Sequence, residues 1–564
     1  MNKTPDSKPP PTSVDVESSS TTTACRRCKT DCSNEVFREE LAVCPSCGWH
    51  APLNAQEWIQ HLADVDSFRE IGKRLHSADP LDFNVTEPYV ERLREAEERT
   101  GMHEAAISGE ARLDGHTLVL ISLEFDFLGG TMGSVVGEKV ARAFQAATRR
   151  KLPVVSVIAS GGARIQEGIL ALMQMAKTAT AVAAHKAAGL PYISVMTNPS
   201  FGGTFASFGS LGDILIGEPE AQIGFVGARV VEGTIDERIP KEERRAETVL
   251  AHGMIDMVVP RRALRNQLAV LLSQLTADRN PHWPAVKLAP TQKPTRNATE
   301  IVQLARSPER PRARHYVDRI FSSFTELHGD RCYGDDDAIL TGLATLHGHP
   351  VMVIAQTGQV MPMPEGYRKT YRLLKLAEKF HLPVITFVDT PGAFPGLEAE
   401  HRGIALTIGE NLGLLASLEV PIINVVIGEG GSGGALALGL ADVILMQENA
   451  IYSVIAPEGA AAILLRDASQ TDELVSGLKL RAHDLLEQGV IDGIVPEPPG
   501  GAHRDYDAAA RLVMERLVHH LGQLSGTKPK RLIRNRATRF GSIGKFERGV
   551  STMLRAMVKR FKTA

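Results

Sequence analysis

The chain has no long hydrophobic run, since none of its apolar stretches approaches the roughly 20 residues that a membrane-spanning helix needs. Residues 1–23 are rich in Pro, Ser and Thr and lack the apolar core of a signal peptide, so we expect a disordered tail there. The 63 basic and 66 acidic residues nearly balance, and a net charge of −3 gives the chain as a whole no electrostatic reason to bind nucleic acid. These absences predict a globular cytoplasmic protein without a membrane span.

Cysteine is scarce, with six in 564 residues, which is too few for a disulfide scaffold. Four of the six form two C-x2-C pairs with the spacing typical of a zinc ribbon, which we place at residues 24–50. We expect one structural Zn²⁺ per chain, because four thiolates leave no open coordination position; a role over an active site or in nucleic-acid contact stays open. Cys32 lies close to these cysteines but is not expected to bind the metal, and Cys332 is expected to be buried. The predicted metal ligands are Cys25, Cys28, Cys44 and Cys47.

The same succession of apolar runs and turns occurs twice in the chain. In each copy a run led by Leu-Pro precedes a small-residue turn, and a second run, led by Pro, follows at the same distance and precedes a glycine pair. The matching prolines are Pro153 with Pro383 and Pro191 with Pro421. Gly203 and Gly433 also match, because each lies at the same distance from the second proline of its copy. Repeats at fixed spacing indicate a repeated architecture.

Short β-branched runs alternate with Ala-rich stretches in each copy, which predicts an α/β fold with a parallel sheet and crossover helices. Strands are expected at 118–123, 154–159, 351–355, 384–388 and 422–427, and helices at 168–186 and 402–415. We expect the first α/β domain at residues 51–280 and the second at 298–525, joined by a proline-rich linker at 281–297.

The last segment, residues 526–564, is strongly basic: between Lys528 and Lys562 it carries twelve Lys or Arg residues and one acid, Glu547. Nucleic acid, an anionic membrane, a carrier protein or packing within an oligomer would each fit such a tail. Apolar residues recur between the charges at a spacing typical of a basic amphipathic helix, at Phe546, Val550, Met553, Leu554, Met557 and Phe561.

Glycine pairs follow three of the strand-like runs and precede stretches of small residues. Unpaired amides at a helix start carry partial positive charge, and glycine lets them face a ligand closely, which suits an oxyanion. Neither the dinucleotide fingerprint nor the P-loop occurs at these positions, and Ser160 and Ser432 lie outside a G-x-S-x-G elbow. The alternative is that glycine serves only close helix packing. The pairs are Gly161-Gly162, Gly202-Gly203 and Gly433-Gly434.

Longer motifs resemble a known family, the carboxyltransferase of bacterial acetyl-CoA carboxylase. Its β subunit is resembled by FLGGTMGSVVGEK (127–139), ASGGARIQEG (159–168) and LPYISVMTNPSFGGTFASF (190–208). Its α subunit is resembled by PMPEGYRK (362–369), ITFVDTPGAFPG (385–396) and VIGEGGSGGALALG (426–439). The likeness covers about residues 24–525, in the order of a fused β–α carboxyltransferase.

The resemblance implies two crotonase-like (ββα spiral) domains in tandem behind the zinc ribbon. It implies transfer of a carboxyl group from carboxybiotin on a carrier protein to acetyl-CoA, forming malonyl-CoA for fatty acid or polyketide synthesis. Gly202 and Gly203 would donate amides to the thioester enolate, and Gly433 and Gly434 to the biotin ureido oxygen. For Arg164, either coenzyme A contact or a structural role is open. The segment expected to line the coenzyme A side is Gly161, Gly162, Ala163 and Arg164.

The chain lacks a biotinyl A/V-M-K-M motif and an ATP-binding signature. We therefore expect a separate biotin carboxyl carrier protein and a separate biotin carboxylase, and by the resemblance a homodimer. A basic segment usual in the α subunit is missing between Gln356 and Pro362, so the same chemistry on another acyl-CoA in a specialised pathway is an alternative. A zinc-ribbon nucleic-acid-binding regulator is the alternative from a different class of protein.

Overall fold

The computed structural model of the chain describes residues 22–85, 87–235, 238–277, 281–291, 295–358, 360–467 and 471–544. In these residues the chain forms a small N-terminal ribbon followed by two α/β units, each built on an eight-stranded sheet. None of the described helices is long and apolar enough to cross a membrane. The ribbon consists of β1 (Thr22–Ala24), β2 (Asp31–Ser33) and α1 (Asn34–Glu39).

The first α/β unit follows the ribbon and alternates strands with helices. Its helix α2 begins with a capping box, in which the Asn54 side chain accepts from the N–H of Glu57 and the Glu57 side chain accepts from the N–H of Asn54. Its elements are α2 (Ala55–Leu62), β3 (Arg69–Glu70), α3 (Tyr89–Thr100), β4 (Ala106–Leu113), β5 (His116–Leu123), α4 (Ser134–Arg150), β6 (Val154–Ser160), α5 (Gly168–Ala187), β7 (Tyr192–Phe201), α6 (Gly202–Phe205), β8 (Ile214–Gly217), β9 (Ile223–Gly224), α7 (Ala228–Ile235), α8 (Ala246–Ala251), β10 (Met257–Val258) and α9 (Arg261–Thr276).

The second α/β unit begins with a helix that carries the same kind of capping box, here between Asn297 and Glu300. Its elements are α10 (Ala298–Arg306), α11 (Ala313–Ile320), β11 (Ser323–Glu326), β12 (Ile339–Leu346), β13 (His349–Gln356), α12 (Pro364–Phe380), β14 (Val384–Thr390), α13 (Leu397–His401), α14 (Ile404–Ser417), β15 (Ile422–Gly431), α15 (Ser432–Gly439), β16 (Val443–Gln447), β17 (Ile451–Ser453), α16 (Pro457–Leu464), α17 (Thr471–Leu478), α18 (Ala482–Glu487), β18 (Gly493–Val495), α19 (Tyr506–Leu524) and α20 (Pro529–Ser542).

The two sheets have the same topology. The first runs β10-β8-β7-β6-β5-β4-β3, with β9 paired to β7, and the second runs β11-β12-β13-β14-β15-β16-β18, with β17 paired to β15. In each sheet a β-hairpin is antiparallel, β4 with β5 and β12 with β13, and the remaining central strands pair in parallel through crossover helices. Every residue of β6 and of β14 is buried, as expected of central parallel strands covered on both faces.

These strands and helices confirm the α/β prediction and the duplication. The pair β6 and β7 recurs as β14 and β15, and α4 recurs as α12, each with the same length and at the same offset along the chain. Each of these two helices ends in a left-handed residue, Lys151 in the first copy and His381 in the second. The predicted strands and helices all fall within elements of the structure, apart from the first two residues of the helix expected at 402–415.

The two units share one hydrophobic core across helix α9. Leu264, Leu268 and Leu272 of that helix are buried in the same cluster as Met352 and Leu374 of the second unit. Ion pairs reinforce this contact. Lys379 Nζ lies 2.7 Å from Asp213, and Arg372 lies 3.0 Å from Asp256. Because the two units are joined by buried apolar surface, their relative placement within one chain is fixed by packing.

The predicted linker and tail both contact the second unit. The linker segment contains Trp283, which is buried in the second core with its ring centroid 5.0 Å from that of His349. The tail contributes α20, whose Arg536 is buried and pairs with Asp442 at 2.8 Å. The basic segment from residue 545 onward, with the six apolar positions of the predicted amphipathic helix, lies outside the described residues.

The prediction that Cys332 is buried is wrong, because its side chain is exposed. Cys332 lies in a tight loop in which Asp330 Oδ1 accepts the N–H groups of residues 332, 333 and 334. This carboxylate fixes the loop backbone and leaves the thiol in a cleft of about 580 Å³ that is also lined by Tyr333 and Arg402. A polar loop therefore placed at the surface a residue that composition alone assigned to the core.

Candidate active site and zinc ribbon

In the first unit, the turns after β6 and β7 are in backbone contact. A Cβ built on Gly202 would lie 2.8 Å from the Cα of Gly162, and one built on Gly162 would lie 3.1 Å from the Cα of Gly202. Gly202 also has φ +63°, in the left-handed region that favours glycine. The structure thus brings together the predicted pairs Gly161-Gly162 and Gly202-Gly203, and glycine is needed at both points of contact.

The amides of the first turn are already engaged within the protein. Gly161 N–H donates to Gly129 O at 2.8 Å, and Gly162 N–H donates to Ser160 Oγ at 3.1 Å. Ser160 Oγ in turn lies 2.8 Å from Thr204 Oγ1, at the start of the neighbouring helix. Sequence reasoning considered Ser160 as a weak nucleophile, whereas the structure places its hydroxyl, fully buried, between the two turns.

The amides of the second turn begin a helix. Because α6 starts at Gly202, the N–H groups of its first turn have no partner within the helix and carry its partial positive charge. A Cβ on Gly203 would lie 3.5 Å from that of Ala163, so the two predicted segments are in contact. Gly202 and Gly203 therefore lie at a short helix start next to the first turn.

The second unit repeats this arrangement. Gly392 N–H donates to Thr390 Oγ1 at 3.2 Å, as Gly162 N–H does to Ser160 in the first unit. Helix α15 begins directly after β15, and a Cβ on Gly434 would overlap the backbone N of Ala393. Gly433, by contrast, has no atom within 4 Å of such a Cβ. Gly433 therefore faces open space at a second helix start.

Sequence reasoning considered Ser432 only as a serine outside a nucleophile elbow and did not count it among the site residues. It occupies the first position of α15 with φ +56°, the conformation that Gly202 adopts at the first position of α6. A serine in the left-handed region is strained, and such strain persists only where the surrounding structure enforces it. The constant offset between the two copies pairs Gly202 with Ser432, and this was the signal that could have found it.

Arg164 lies in the segment expected to line the coenzyme A side, but its guanidinium points into the protein. It is 1% exposed and forms a bidentate ion pair with Glu104, at 2.8 and 2.6 Å. It also donates to the carbonyl of Thr131 and the hydroxyl of Tyr89. Burial by itself would lower the pKa of Arg164, and the Glu104 carboxylate outweighs it and raises that pKa. In this structure Arg164 supports the loop from beneath.

A buried carboxylate supports the second unit's turns in a similar way. Asp389, just before the turn, accepts from Arg312 at 2.9 Å and from the N–H of Glu429 at 3.0 Å. Burial raises the pKa of Asp389. Arg306 pairs with Glu429 through two bonds of 2.8 and 2.6 Å. The closely spaced arginines of residues 306–312 were the sequence signal for this cluster, but sequence reasoning gave these arginines no role.

The four cysteines predicted as metal ligands come together in the ribbon. Their Sγ atoms all lie within 4.8 Å of one another, with Cys25–Cys47 and Cys28–Cys44 separations of 3.8 Å. Zn–S bonds of about 2.3 Å in a tetrahedron place sulfur atoms about 3.8 Å apart, so the donor set fits one Zn²⁺. Cys32 is buried beside this cluster.

The ribbon is attached to the first unit through Arg261, the first residue of α9. Its guanidinium donates to the carbonyls of Leu41 and Ala51 at 2.7 and 2.9 Å, and pairs with Glu218 at 2.7 Å. It also lies 5.0 Å from the ring centroid of Trp58. A buried, multiply bonded arginine of this kind holds the ribbon in a fixed position on the sheet.

Comparison with known proteins decides the family. The chain is 43% identical over 537 residues to "Acetyl-coenzyme A carboxylase carboxyl transferase subunits beta/alpha" of Saccharopolyspora erythraea, which covers 93% of this chain and 94% of the relative. A relative of the same description from Natranaerobius thermophilus is 42% identical over 553 residues, covering 93% and 91%. Residues 291–544 match the family model "Acetyl co-enzyme A carboxylase carboxyltransferase-like". The chain belongs to the acetyl-CoA carboxylase carboxyltransferase family.

Solved structures show the fold of this carboxyltransferase. Transcarboxylase 12S, solved with methylmalonyl-coenzyme A and methylmalonic acid bound, superposes with a TM-score of 0.68 at 22% identity, covering 88% of this chain and 92% of that one. A single-chain, multi-domain long-chain acyl-CoA carboxylase superposes with a TM-score of 0.66 at 23% identity, covering 86% and 47%. The prediction of two tandem carboxyltransferase domains of crotonase-like fold behind a ribbon is confirmed.

The carboxyltransferase presents apolar side chains beside each set of glycine turns. In the first unit Ile165 and Ile169, directly after the 161–164 segment, are 82% and 61% exposed. In the second unit Leu397 and Leu406, after the 391–393 turn, are 70% and 74% exposed. Such clusters of exposed large apolar residues mark interaction surfaces in soluble proteins.

Proposed function

We propose that this carboxyltransferase moves a carboxyl group from carboxybiotin, carried by a separate protein, to acetyl-CoA and so forms malonyl-CoA. The observation that carries the proposal is the repeated site: two helix starts, at Gly202 and Ser432, each rich in glycine and each held by an equivalent neighbouring turn. Relatives of matching length with the acetyl-CoA carboxylase description support the same activity.

Two clusters of amides would divide the chemistry. The start of α6, with Gly202 and Gly203, would hold the thioester oxygen as negative charge develops on it, while Gly433 and Gly434 of α15 would hold the ureido oxygen of biotin. Carboxybiotin would supply the carboxyl group, and the ring nitrogen that loses it would accept the proton from the α-carbon. Each amide is aligned before the reaction, and a donor of this kind contributes about 3 kcal/mol of transition-state stabilisation.

The turns beneath these helices would position the amides. Ser160 and Thr390 accept from Gly162 and Gly392, which fixes the backbone conformation within each turn. Arg164 would act through this loop, because its guanidinium is committed to Glu104. We propose that Gly161, Gly162 and Ala163 line the coenzyme A side and that Arg164 is a positioning residue there.

We further propose a homodimer in which the first unit of one chain faces the second unit of its partner. The exposed apolar residues next to both sets of turns support this arrangement, since the two patches lie at corresponding places in the duplicated fold. A two-fold contact would cover both patches on each chain and bring the turns of the first unit towards those of the second. The zinc ribbon would be structural, with one Zn²⁺ bound by its four thiolates.

The test uses the full-length protein with a carboxylated biotin carrier protein and three thioesters, acetyl-, propionyl- and butyryl-CoA. Carboxylated product is measured by mass spectrometry, with uncarboxylated carrier as the control. Malonyl-CoA formation that depends on the carboxylated carrier supports the proposal. A clear preference for propionyl- or butyryl-CoA would instead favour the alternative acyl-CoA, in line with the shortened segment after Gln356. Absence of any carboxylated thioester with folded, zinc-loaded protein would refute the proposed function.

A further inference from the structure

Three side chains that can bind a metal converge on the surface of the first unit, away from the cysteine ribbon. His76 follows β3, Glu97 lies in α3, and His103 follows that helix. Glu97 Oε1 lies 3.8 Å from His76 Nδ1 and 3.6 Å from His103 Nδ1, and the three ligand atoms all lie within 4.8 Å of one another. The two imidazole rings lie 4.0 Å apart between centroids.

The spacing matches a coordination polyhedron. Bonds of about 2.1 Å to nitrogen or carboxylate oxygen, at a tetrahedral angle, place two donor atoms about 3.4 Å apart. The two separations from Glu97 exceed this by only a few tenths of an ångström, and the two histidine atoms lie within 4.8 Å of each other. All three side chains are partly exposed, so side-chain rotations would close the site. Two imidazoles and one carboxylate are also a donor set that Zn²⁺ uses with a water in the fourth position.

The side chains of His76, Glu97 and His103 have few other polar partners in the described part of the chain. Among the described residues, neither imidazole takes part in a hydrogen bond with another group, and Glu97 has only these two histidines as ion-pair partners. Three atoms that can each ligate a metal therefore converge with no donor from the rest of the described protein between them. A cation is the simplest occupant of such a point.

We propose that His76, Glu97 and His103 form a second metal site, which binds a divalent transition-metal ion such as Zn²⁺. The site is separate from the ribbon in chain position and in donor chemistry, since it uses nitrogen and oxygen in place of sulfur. Water would complete the coordination on the solvent side.

The position of this site gives it a structural consequence. Ser77, next to His76, donates to Glu104, and Glu104, next to His103, holds the Arg164 guanidinium. The two segments that supply the histidines therefore also supply Ser77 and Glu104, which hold the Arg164 side chain beneath the 161–164 loop. A bound ion would tie these segments together and reduce local opening of residues 73–78 and 101–105.

The test starts from full-length protein with its ribbon zinc in place, at one zinc per chain, titrated with ZnCl₂ by calorimetry. We expect one further equivalent to bind, and hydrogen exchange to slow in residues 73–78 and 101–105. His76→Ala and His103→Ala should each lose that equivalent, and Glu97→Gln should bind more weakly because it loses the anionic oxygen. His116→Ala, a half-buried histidine of the same unit outside the cluster, is the matched control and should keep it.

Two results would overturn the proposal: wild-type protein that takes up no second equivalent, or His76→Ala/His103→Ala double-variant protein that binds it unchanged. Thermal unfolding of each variant before metal addition shows whether the fold is intact. Because the readout is ion binding without substrate, its failure leaves the proposed carboxyl transfer standing, and the reverse is equally true.

Discussion

Gly162 and Gly202 lie in separate turns of the first unit, and their backbones touch, with 2.8 Å between a Cβ built on Gly202 and the Cα of Gly162. In the second unit Ser432 stands at the position of Gly202 and has the same left-handed backbone conformation. The two copies therefore share backbone geometry while differing in side chain, as expected if backbone amides rather than side chains contact the ligands.

Gly433 offers a clean test of the amide site. Nothing lies within 4 Å of a Cβ built there and its φ is not positive, so Gly433→Val should fold while its side chain enters the space left for a ligand. We expect carboxyl transfer to fall by about 100-fold or more, because the valine side chain would keep the ligand away from the amide, with an effect comparable to loss of one preorganised donor. The rate is measured with carboxylated carrier and acetyl-CoA.

The matched control is Gly413→Val, in helix α14, where a Cβ also meets nothing within 4 Å and the residue is exposed. It should keep the wild-type rate. Equal rates in the Gly433 and Gly413 variants would show that the second helix start does not contact the reacting groups. Gly434→Val is a poorer choice, because its Cβ would overlap the backbone of Ala393 and displace the turn.

Arg164 is expected to matter mainly for stability. Arg164→Met leaves Glu104 buried and unpaired, and breaking a buried ion pair in this way costs about 3–5 kcal/mol. The double variant Arg164→Met/Glu104→Gln should recover part of that loss, because no charge then remains buried. The midpoint of thermal unfolding is compared with that of Arg149→Met, an exposed arginine of α4. A midpoint for Arg164→Met equal to that control would contradict the structural role.

Removal of the ribbon metal should have a local effect. Cys28→Ser lacks one of four thiolates, so we expect loss of zinc and faster hydrogen exchange in residues 22–50, with β5 and β6 still protected. The carbonyls of Leu41 and Ala51, which Arg261 holds, should be released with the ribbon. Zinc content is measured by atomic absorption. Cys332→Ser, at an exposed cysteine outside the cluster, should retain one zinc per chain; native exchange in zinc-free Cys28→Ser would argue against a structural metal.

The contact between His328 and Asp335 predicts a pH effect at the junction of the two units. The hydrogen bond to Asp335, at 2.7 Å, raises the pKa of His328. Burial alone would raise the pKa of Asp335, but its bonds with His328 and Lys369 outweigh burial and lower that pKa. The imidazolium therefore adds stability that is present below the unfolded histidine pKa of about 6.5 and is lost as the pH rises through the raised folded value. Glu326 is also near this imidazole, at 3.7 Å.

His328→Gln should consequently lower the unfolding midpoint more at about pH 6 than at about pH 8.5. Asp335 contributes in the opposite direction: its stabilisation is present above the unfolded carboxyl pKa of about 3.9 and disappears as the pH falls through its lowered folded value. A variant-to-wild-type difference that does not change between the two pH values would remove this pair as the cause.

The proposed dimer contact can be tested at Leu406, which is 74% exposed. Leu406→Asp places a charge in a patch that would be buried by the partner, so we expect dissociation to monomers in sedimentation experiments and loss of carboxyl transfer. Val65→Asp, at an 87% exposed residue outside both patches, should remain dimeric and active. A Leu406→Asp protein that stays dimeric would show that this face lies outside the contact.

The sequence by itself determined the duplication, the strand–helix alternation, the cysteine cluster and the glycine turns. Local backbone rules and fixed spacing are enough to predict these features. Hydrophobic periodicity and the need for a positive φ are both set by residues that are close together in the chain. The family likewise followed from motifs such as those at 159–168 and 426–439.

Only the tertiary structure decided where the polar groups of those motifs point. The Arg164 guanidinium pairs with Glu104, and the amides of Gly161 and Gly162 donate to other groups of the protein. The amides at the start of α6 have no acceptor within that helix, and Cys332 is exposed. Burial and many of the hydrogen-bond partners come from segments that are distant in the chain, so no local pattern specifies them. The left-handed conformation that Ser432 shares with Gly202 belongs to the same class, since backbone angles are seen only in the folded chain.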